Sequence, residues 1–212
     1  MKIIEPQAII ETPIDGDAGK AILQLIERAA RTCYKSEGKM TDDSAADFVR
    51  KITQVRKHHS VVEHASATVR FIVDRGVSHE LVRHRIAAFS QESTRYCNYC
   101  GDKFGKEITV IQPIFWDVGT VQWMQWKFAC EAAESNYFAL IEGGATPQEA
   151  RSVLPNSLKT EVVMTCNMRE WRHVFSMRAA SMAHPQMQQV MKPLLAEFKR
   201  CLPPLFDDLQ PS

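Results

Sequence analysis

Apolar residues recur at helical spacing in several stretches of the chain. In the first stretch, Ile22, Ile26 and Ala29 lie three or four residues apart, which is the spacing of one helix face. Asp17 is predicted to be the N-cap of this helix, and Ser78 and Thr146 are the predicted N-caps of two later helices. The pattern predicts helices over residues 17–33, 43–57, 77–85, 120–141, 146–154, 169–180 and 185–200.

Shorter segments rich in β-branched and alternating apolar residues predict strands. These segments are residues 2–10, 65–73, 108–113 and 157–167. Pro6 interrupts the first of them, which places it at a sheet edge. Residues 88–106 show no clear period and are predicted to be a loop. The predicted fold is α+β, a single domain over residues 1–212 with an antiparallel or mixed sheet flanked by helices.

Composition narrows the classes of function. The 212 residues carry a formal net charge of +1, which argues against a broad nucleic-acid-binding surface. No apolar run approaches the roughly 20 residues needed to span a membrane, and the N-terminus lacks the apolar region of a signal peptide. The six scattered cysteines are expected to be free thiols. A cytoplasmic protein that binds neither membranes nor nucleic acid is expected.

Arginines cluster in the segment RHRIAAFSQESTRY, residues 83–96, which begins at the end of a predicted helix. Arg83, Arg85 and Arg95 repel one another unless an anion binds among them, and guanidinium groups match the geometry of phosphate or carboxylate. Ser93 adds a hydroxyl. The segment indicates a site for an anionic, phosphorylated small molecule. A solvated charged surface is the alternative.

Two further motifs invite a metal hypothesis. The segment HHSVVEH contains His58, His59, Glu63 and His64, but its spacing does not match HExxH. Side chains that line an organic ligand, with His58 stacked on a ring, are the favoured interpretation. The single CxxC at residues 97–100 lacks the second pair that a zinc ribbon needs. No metal is therefore predicted.

The helix predicted after the long strand is basic. Arg169 and His173 lie four residues apart and share a face, whereas Arg178 lies about two and a half turns beyond Arg169. Asn167 stands where the strand meets the helix, a position where ligands collect. Arg172 is expected to be a solvated surface charge. No GxGxxG or Walker A motif is present, so side chains would have to hold a nucleotide.

Four segments resemble the flavin-dependent thymidylate synthases. The family signature is Arg-His-Arg, seven residues and Ser, which residues 83–85 and Ser93 match here. HHSVVEH looks like the family's His-x-Ser/Thr-x-x-Glu-His segment. ARSVLP at residues 150–155 looks like its Ala-Arg-x-x-Leu-Pro element. Residues 167–170, followed by Met177-Arg178, look like its Asn-x-Arg and Leu-Arg pattern. These segments follow the family's order along most of the chain.

The resemblance implies an enzyme that methylates dUMP to dTMP. It implies 5,10-methylenetetrahydrofolate as carbon donor, FAD as redox carrier and NADPH as source of hydride. It further implies a homotetramer in which several subunits form each active site. The residues expected at FAD are His58, Ser60, Arg83, His84, Arg85, Gln91, Asn167, Arg169 and His173. Those expected at dUMP are Glu80, Leu81, Val82, Arg83, Gln91, Glu92, Ser93, Thr94, Arg95, Arg151 and Arg178.

The resemblance also implies particular roles. Arg178 is the expected catalytic residue, because a guanidinium at the uracil edge would stabilise negative charge and make C5 a better nucleophile. Ser93 is expected to bind the substrate, not to attack it. The chain departs from the usual family residues at Glu80, Gln91 and His173.

Two other classes of function remain open from the residues alone. A nucleotide- or nucleic-acid-binding module without catalysis would explain the clustered arginines, although the low net charge counts against it. A metal hydrolase built on HHSVVEH is the third class.

Overall fold

A computed structural model describes residues 1–210, without the side chain of Lys103. The strands are β1 (Lys2–Ile4), β2 (Gln7–Ile10), β3 (Ser66–Asp74), β4 (Ala88–Gln91), β5 (Thr109–Ile111) and β6 (Lys159–Asn167). The helices are α1 (Gly16–Tyr34), α2 (Ala45–Arg50), α3 (Arg75–Leu81), α4 (Val121–Glu142), α5 (Pro147–Ala150), α6 (Met168–Arg178), α7 (Pro185–Cys201) and α8 (Pro203–Phe206). The prediction of an α+β fold is confirmed.

The strands form two sheets. One sheet has the order β2-β3-β6-β4, and the other pairs β1 with β5 in parallel. In the smaller sheet Ile3 lies opposite Val110. Pro6 separates β1 from β2, and β2 is an edge strand as predicted. A proline at this point ends the first strand because it cannot donate to a ladder.

The contacts divide the chain into two compact units. The first unit contains residues 1–7, 71–83 and 90–162. Its core includes Ile108, Val110, Tyr137 and Leu158, with Tyr99 packed edge-on against Tyr137. All of α4 belongs to this unit, and the helix contributes Tyr137 to the core.

The second unit contains residues 8–70, 84–89 and the chain from Val163 onward. Its core is built on the rings of Trp171, Phe175, Phe198 and Phe206, which lie within 6 Å of one another in successive pairs. The prediction that residues 1–212 form one domain stays a prediction, and Pro211 and Ser212 lie outside the described residues.

Of the three predicted N-caps, Thr146 is confirmed as the N-cap of α5, whereas Asp17 and Ser78 are wrong. Asp15 occupies the N-cap position of α1 without a side-chain hydrogen bond, and Asp17 lies in the first turn, where a carboxylate suits the helix dipole. Asp74 caps α3 by accepting a hydrogen bond from Val77 N at 2.8 Å. Ser78 is a buried residue within this helix, and its hydroxyl donates to a backbone carbonyl.

Several predicted boundaries also change. The helix predicted over residues 43–57 is α-helical only in α2 and continues as a π-helical turn over Lys51–Val55. The helix predicted over residues 77–85 ends at Leu81, so the Arg-His-Arg motif follows it. The predicted loop over residues 88–106 contains β4, which adds a fourth strand to the larger sheet.

Candidate active site

The Arg-His-Arg motif alternates between exposed and buried side chains as the chain leaves α3. Arg83 and Arg85 are exposed, whereas His84 is buried. The central residue and the two flanking arginines of this motif therefore have different surroundings and can have different roles. The exposed arginines are available to an anionic ligand, and His84 is available to other side chains of the second unit.

In the second unit, His84 lies between two residues of α6. Its Nδ1 atom is 3.3 Å from Glu170 Oε1, and its Nε2 atom is 3.0 Å from Arg178 Nε. The His173 ring packs edge-on against it, with ring centres 5.7 Å apart. Asn167 caps α6 through a 2.9 Å hydrogen bond from Glu170 N, which fixes the first turn of the helix.

His84 is a neutral side chain at neutral pH. Burial is the main cause that lowers its pKa to about 4, and the charges of Arg178 and His173 add to the effect. Because Arg178 Nε can only donate, His84 Nε2 must accept, and the ring proton lies on Nδ1. The contact with Glu170 is then a hydrogen bond from a neutral imidazole to a carboxylate. Burial also raises the pKa of Glu170, although His173 opposes this.

The metal hypothesis for HHSVVEH gains no support from the geometry. His58 Nδ1 lies 3.4 Å from Tyr34 Oη, and His59 Nε2 lies 3.2 Å from Thr53 O. Glu63 pairs with Arg169 at 2.5 Å. Within residues 1–210, the one group of three possible metal ligands is His84, Glu170 and His173, whose donor atoms lie within 4.8 Å of one another. Both nitrogens of His84 already have hydrogen-bond partners, so this group is better explained as a hydrogen-bond network.

Other predicted flavin residues of the second unit are accessible to a ligand. His58, Ser60, Arg85, Arg169 and His173 are exposed. This donor set suits a flavin dinucleotide, because guanidinium groups bind a pyrophosphate and an imidazole can stack on a ring. The residues present therefore fit FAD.

Arg172 is not the solvated surface charge that the sequence predicted. Its guanidinium is buried, forms two hydrogen bonds of 2.7 and 2.8 Å with Asp208, and donates to Leu205 O. The sequence could not reveal this, because the partner carboxylate lies 36 residues away in the C-terminal segment.

In the first unit, a cationic cavity of about 410 Å³ lies beside α3. Arg75, His79, Thr94 and Arg151 are among the residues that line it. Arg151 Nη1 donates to Thr94 Oγ1 at 3.5 Å. Arg75 Nη1 is buried and has no hydrogen-bond partner among the described residues. A cavity with two guanidinium groups, one of them with an unpaired buried donor, is suited to an anion such as phosphate.

Sequence reasoning missed Arg75 and His79. They lie four residues apart on α3 and so share one helix face, which was the available signal. The predicted substrate residues Thr94 and Arg151 are brought together with them. Arg151 is an exposed residue and is one of those that line the cavity.

The remaining predicted substrate residues of the first unit have varied surroundings. Gln91 Nε2 donates to Ser78 Oγ at 3.0 Å, and Glu92 accepts from Lys159 Nζ at 2.8 Å. Ser93 Oγ accepts from Arg95 N at 3.3 Å. Leu81 and Thr94 are buried, Glu80, Gln91, Glu92 and Ser93 are partly buried, and Val82, Arg83 and Arg95 are exposed. Leu81 is fully enclosed and serves the packing of α3.

The six cysteines are free thiols, as predicted. Cys97 and Cys100 are half-buried and pack against the core of the first unit. Burial raises the pKa of Cys100, which disfavours a reactive thiolate. None of the described helices is long and apolar enough to cross a membrane.

The chain is similar to known proteins along almost all of its length. A family model described as "Thymidylate synthase complementing protein" matches residues 18–204. A flavin-dependent thymidylate synthase of Geobacter sulfurreducens is 33% identical over 212 residues, covering 97% of this chain and 87% of that protein. One from Mycobacterium tuberculosis is 31% identical over 214 residues, covering 92% of this chain and 82% of that protein.

Solved structures share the fold. A Helicobacter pylori thymidylate synthase X solved with FAD and dUMP superposes with a TM-score of 0.69 at 21% identity, covering 93% of this chain and 97% of that one. A second structure of that protein, also with FAD and dUMP, gives a TM-score of 0.71 at 22% identity, covering 94% and 99%. The family model and the relatives above 30% identity agree with the resemblance seen in the sequence. The chain belongs to the flavin-dependent thymidylate synthase family.

Proposed function

We propose that this protein catalyses the reductive methylation of dUMP to dTMP, with 5,10-methylenetetrahydrofolate as carbon donor and NADPH as source of hydride. The observation that carries the proposal is the contact between Arg178 Nε and His84 Nε2. It joins the central residue of the Arg-His-Arg motif to the arginine that the family resemblance assigns to catalysis. The relatives named as flavin-dependent thymidylate synthases support the same activity.

Arg178 activates the uracil ring in this proposal. A guanidinium against the N3 and O4 edge stabilises negative charge on the N3/O4 system of the ring, and this makes C5 a better nucleophile towards the one-carbon unit. C5 then loses its proton, and the transferred methylene becomes a methyl group by accepting hydride. No enzyme nucleophile is required. Arg178 is half-buried, which strengthens its electrostatic effect relative to a fully solvated cation.

The phosphate of dUMP is assigned to the cavity of the first unit. Arg151 and Arg75 supply guanidinium groups, and Thr94 adds a hydroxyl. Arg83 and Arg95 are exposed cations that suit the same dianion. Ser93 binds the nucleotide and does not attack it.

FAD is assigned to Ser60, Arg83, His84, Arg85, Gln91, Asn167, Arg169 and His173, with His58 beside the ring. When bound, FAD carries hydride from NADPH to the one-carbon unit. His84, being neutral, adds no further cation to the site. We further propose a cytoplasmic homotetramer in which several subunits complete each active site.

The test begins with the colour of the purified protein. It should be yellow with bound FAD, and its absorbance should bleach when NADPH is added without oxygen. Release of tritium from C5-labelled dUMP should then require both NADPH and methylenetetrahydrofolate. A colourless protein that does not take up added FAD would refute the proposal. Retained zinc without flavin would favour a metal hydrolase instead.

A further inference from the structure

We propose that Glu170 is a positioning residue, which fixes the tautomer of His84 and through it the orientation of the Arg178 guanidinium. This inference rests on the proposed role of Arg178. Glu170, His84 and Arg178 form a chain of two hydrogen bonds, of 3.3 and 3.0 Å, within the second unit.

The groups at both ends of this hydrogen-bond chain, the Glu170 carboxylate and the Arg178 guanidinium, determine which nitrogen of His84 carries the proton. An ionised carboxylate can only accept hydrogen bonds, so Glu170 requires a proton on His84 Nδ1. A neutral imidazole carries one ring proton, and its Nε2 atom is then an acceptor for Arg178 Nε–H. In the other tautomer, Nε2–H would face Nε–H, and two donors would meet in a buried place. A buried donor without an acceptor is unfavourable, so Arg178 would turn away.

The burial of the pair makes this constraint strong. The side chains of His84 and Glu170 are 4% and 8% exposed, so water competes little for either group. Glu170 and Arg178 lie eight residues apart on α6, a rise of about 12 Å along the helix axis. The helix therefore fixes the distance between the carboxylate and the root of the guanidinium side chain, and His84 bridges them.

The first measurement is the tautomer itself. Selective ¹⁵N labelling of histidine separates protonated from unprotonated ring nitrogens by chemical shift, and H84Q assigns the signal. In the wild-type protein His84 should carry its proton on Nδ1, and in E170Q this preference should weaken, because a carboxamide can either donate or accept. A wild-type His84 protonated on Nε2 would overturn the inference even if E170Q does not fold.

The second measurement is a kinetic double-mutant cycle. E170Q should lower kcat for tritium release about 10- to 100-fold, with little change in bound FAD or in KM for dUMP. In an R178Q background, E170Q should change the rate by about twofold or less, because its effect passes through Arg178. If E170Q lowered kcat by the same factor with and without R178Q, or left kcat unchanged in the otherwise wild-type enzyme, the inference would be contradicted.

E197Q is the matched control. Glu197 lies on α7, its side chain is 44% exposed and it pairs with Arg200, so the same substitution there should leave kcat and the His84 signal unchanged. An equal loss of rate in E197Q would refute a specific role for Glu170. If the wild-type enzyme itself releases no tritium, the proposed function fails, whereas the tautomer measurement still reports on the hydrogen-bond chain.

Discussion

Removing the charge of Asp208 tests the burial of Arg172. In D208N the Arg172 guanidinium keeps its bond to Leu205 O, but the asparagine offers one acceptor oxygen in place of two and carries no negative charge. The side chains of Arg172 and Asp208 are 8% and 19% exposed, so the arginine would remain as an uncompensated and largely buried cation. The reasoning predicts a loss of stability, because a buried charge without its partner is costly.

The size of the stability loss in D208N follows from how deeply the Arg172–Asp208 ion pair is buried. Breaking a fully buried ion pair costs about 3–5 kcal/mol. Asp208 lies nearer the surface and also binds Lys57 Nζ at 3.0 Å, so we expect D208N to lower the free energy of unfolding by about 2 kcal/mol. Partial burial opposes the ionisation of Asp208, but Arg172 and Lys57 outweigh it and lower its pKa to about 2.

The depressed pKa fixes the sign of the pH dependence. An unfolded aspartate titrates near pH 3.9, so the carboxylate contributes its full stabilisation above that pH and loses it as the pH falls towards 2. Wild type and D208N should therefore differ most near neutral pH and converge in acid.

D207N is the matched control. Asp207 pairs with Arg50 at 3.1 Å, but these side chains are 41% and 42% exposed, and such pairs contribute about 0–1 kcal/mol. Urea unfolding followed by tryptophan fluorescence at one protein concentration measures both variants. Equal losses in D207N and D208N, or a D208N loss below about 0.5 kcal/mol, would refute the argument.

Three further predictions concern the nucleotide and the packing of α1. R75Q should weaken dUMP binding about tenfold in calorimetry, because a buried guanidinium donor leaves the cavity, and unchanged affinity would exclude Arg75 from the phosphate site. S93A should weaken dUMP binding yet keep measurable turnover, whereas complete loss of turnover at normal affinity would contradict the role given to Ser93. G19A should lower the urea midpoint, because a Cβ there would lie 2.5 Å from Ile14 O, while G38A, with open space, should lower it far less.

The long helices and strands were predictable from sequence because a buried face requires apolar residues at regular intervals over many positions. The predicted helix over residues 120–141 corresponds to α4, and the strand over residues 157–167 corresponds to β6. β4 and α8 were missed, since four residues carry too few positions to show a period. The N-caps at Asp17 and Ser78 were wrong because the backbone conformation decides which polar residue is the N-cap, and the sequence does not show that conformation.

The site was partly predictable. His84, His173 and Arg178 were selected through the resemblance, and the structure brings them together. No role of its own was predicted for Glu170, although it lies within a family motif. Nothing in its sequence neighbours shows that it contacts a histidine 86 residues earlier. Arg172 was misjudged for the same reason. The pattern of charges along the sequence predicts the helix on which a charged residue lies. Whether that residue is buried depends on a partner that is distant in sequence.

α6 explains how one element can serve both packing and chemistry. Its buried face carries Trp171, which donates to Ala67 O at 3.0 Å, and Arg172, which is tied to the C-terminal segment. These contacts hold the helix on the core of its unit, while the same helix carries Glu170 and Arg178 to either side of His84. A helix fixed in this way positions a guanidinium more precisely than a loop would. Loosening the Arg172 anchor should therefore impair substrate activation as well as stability.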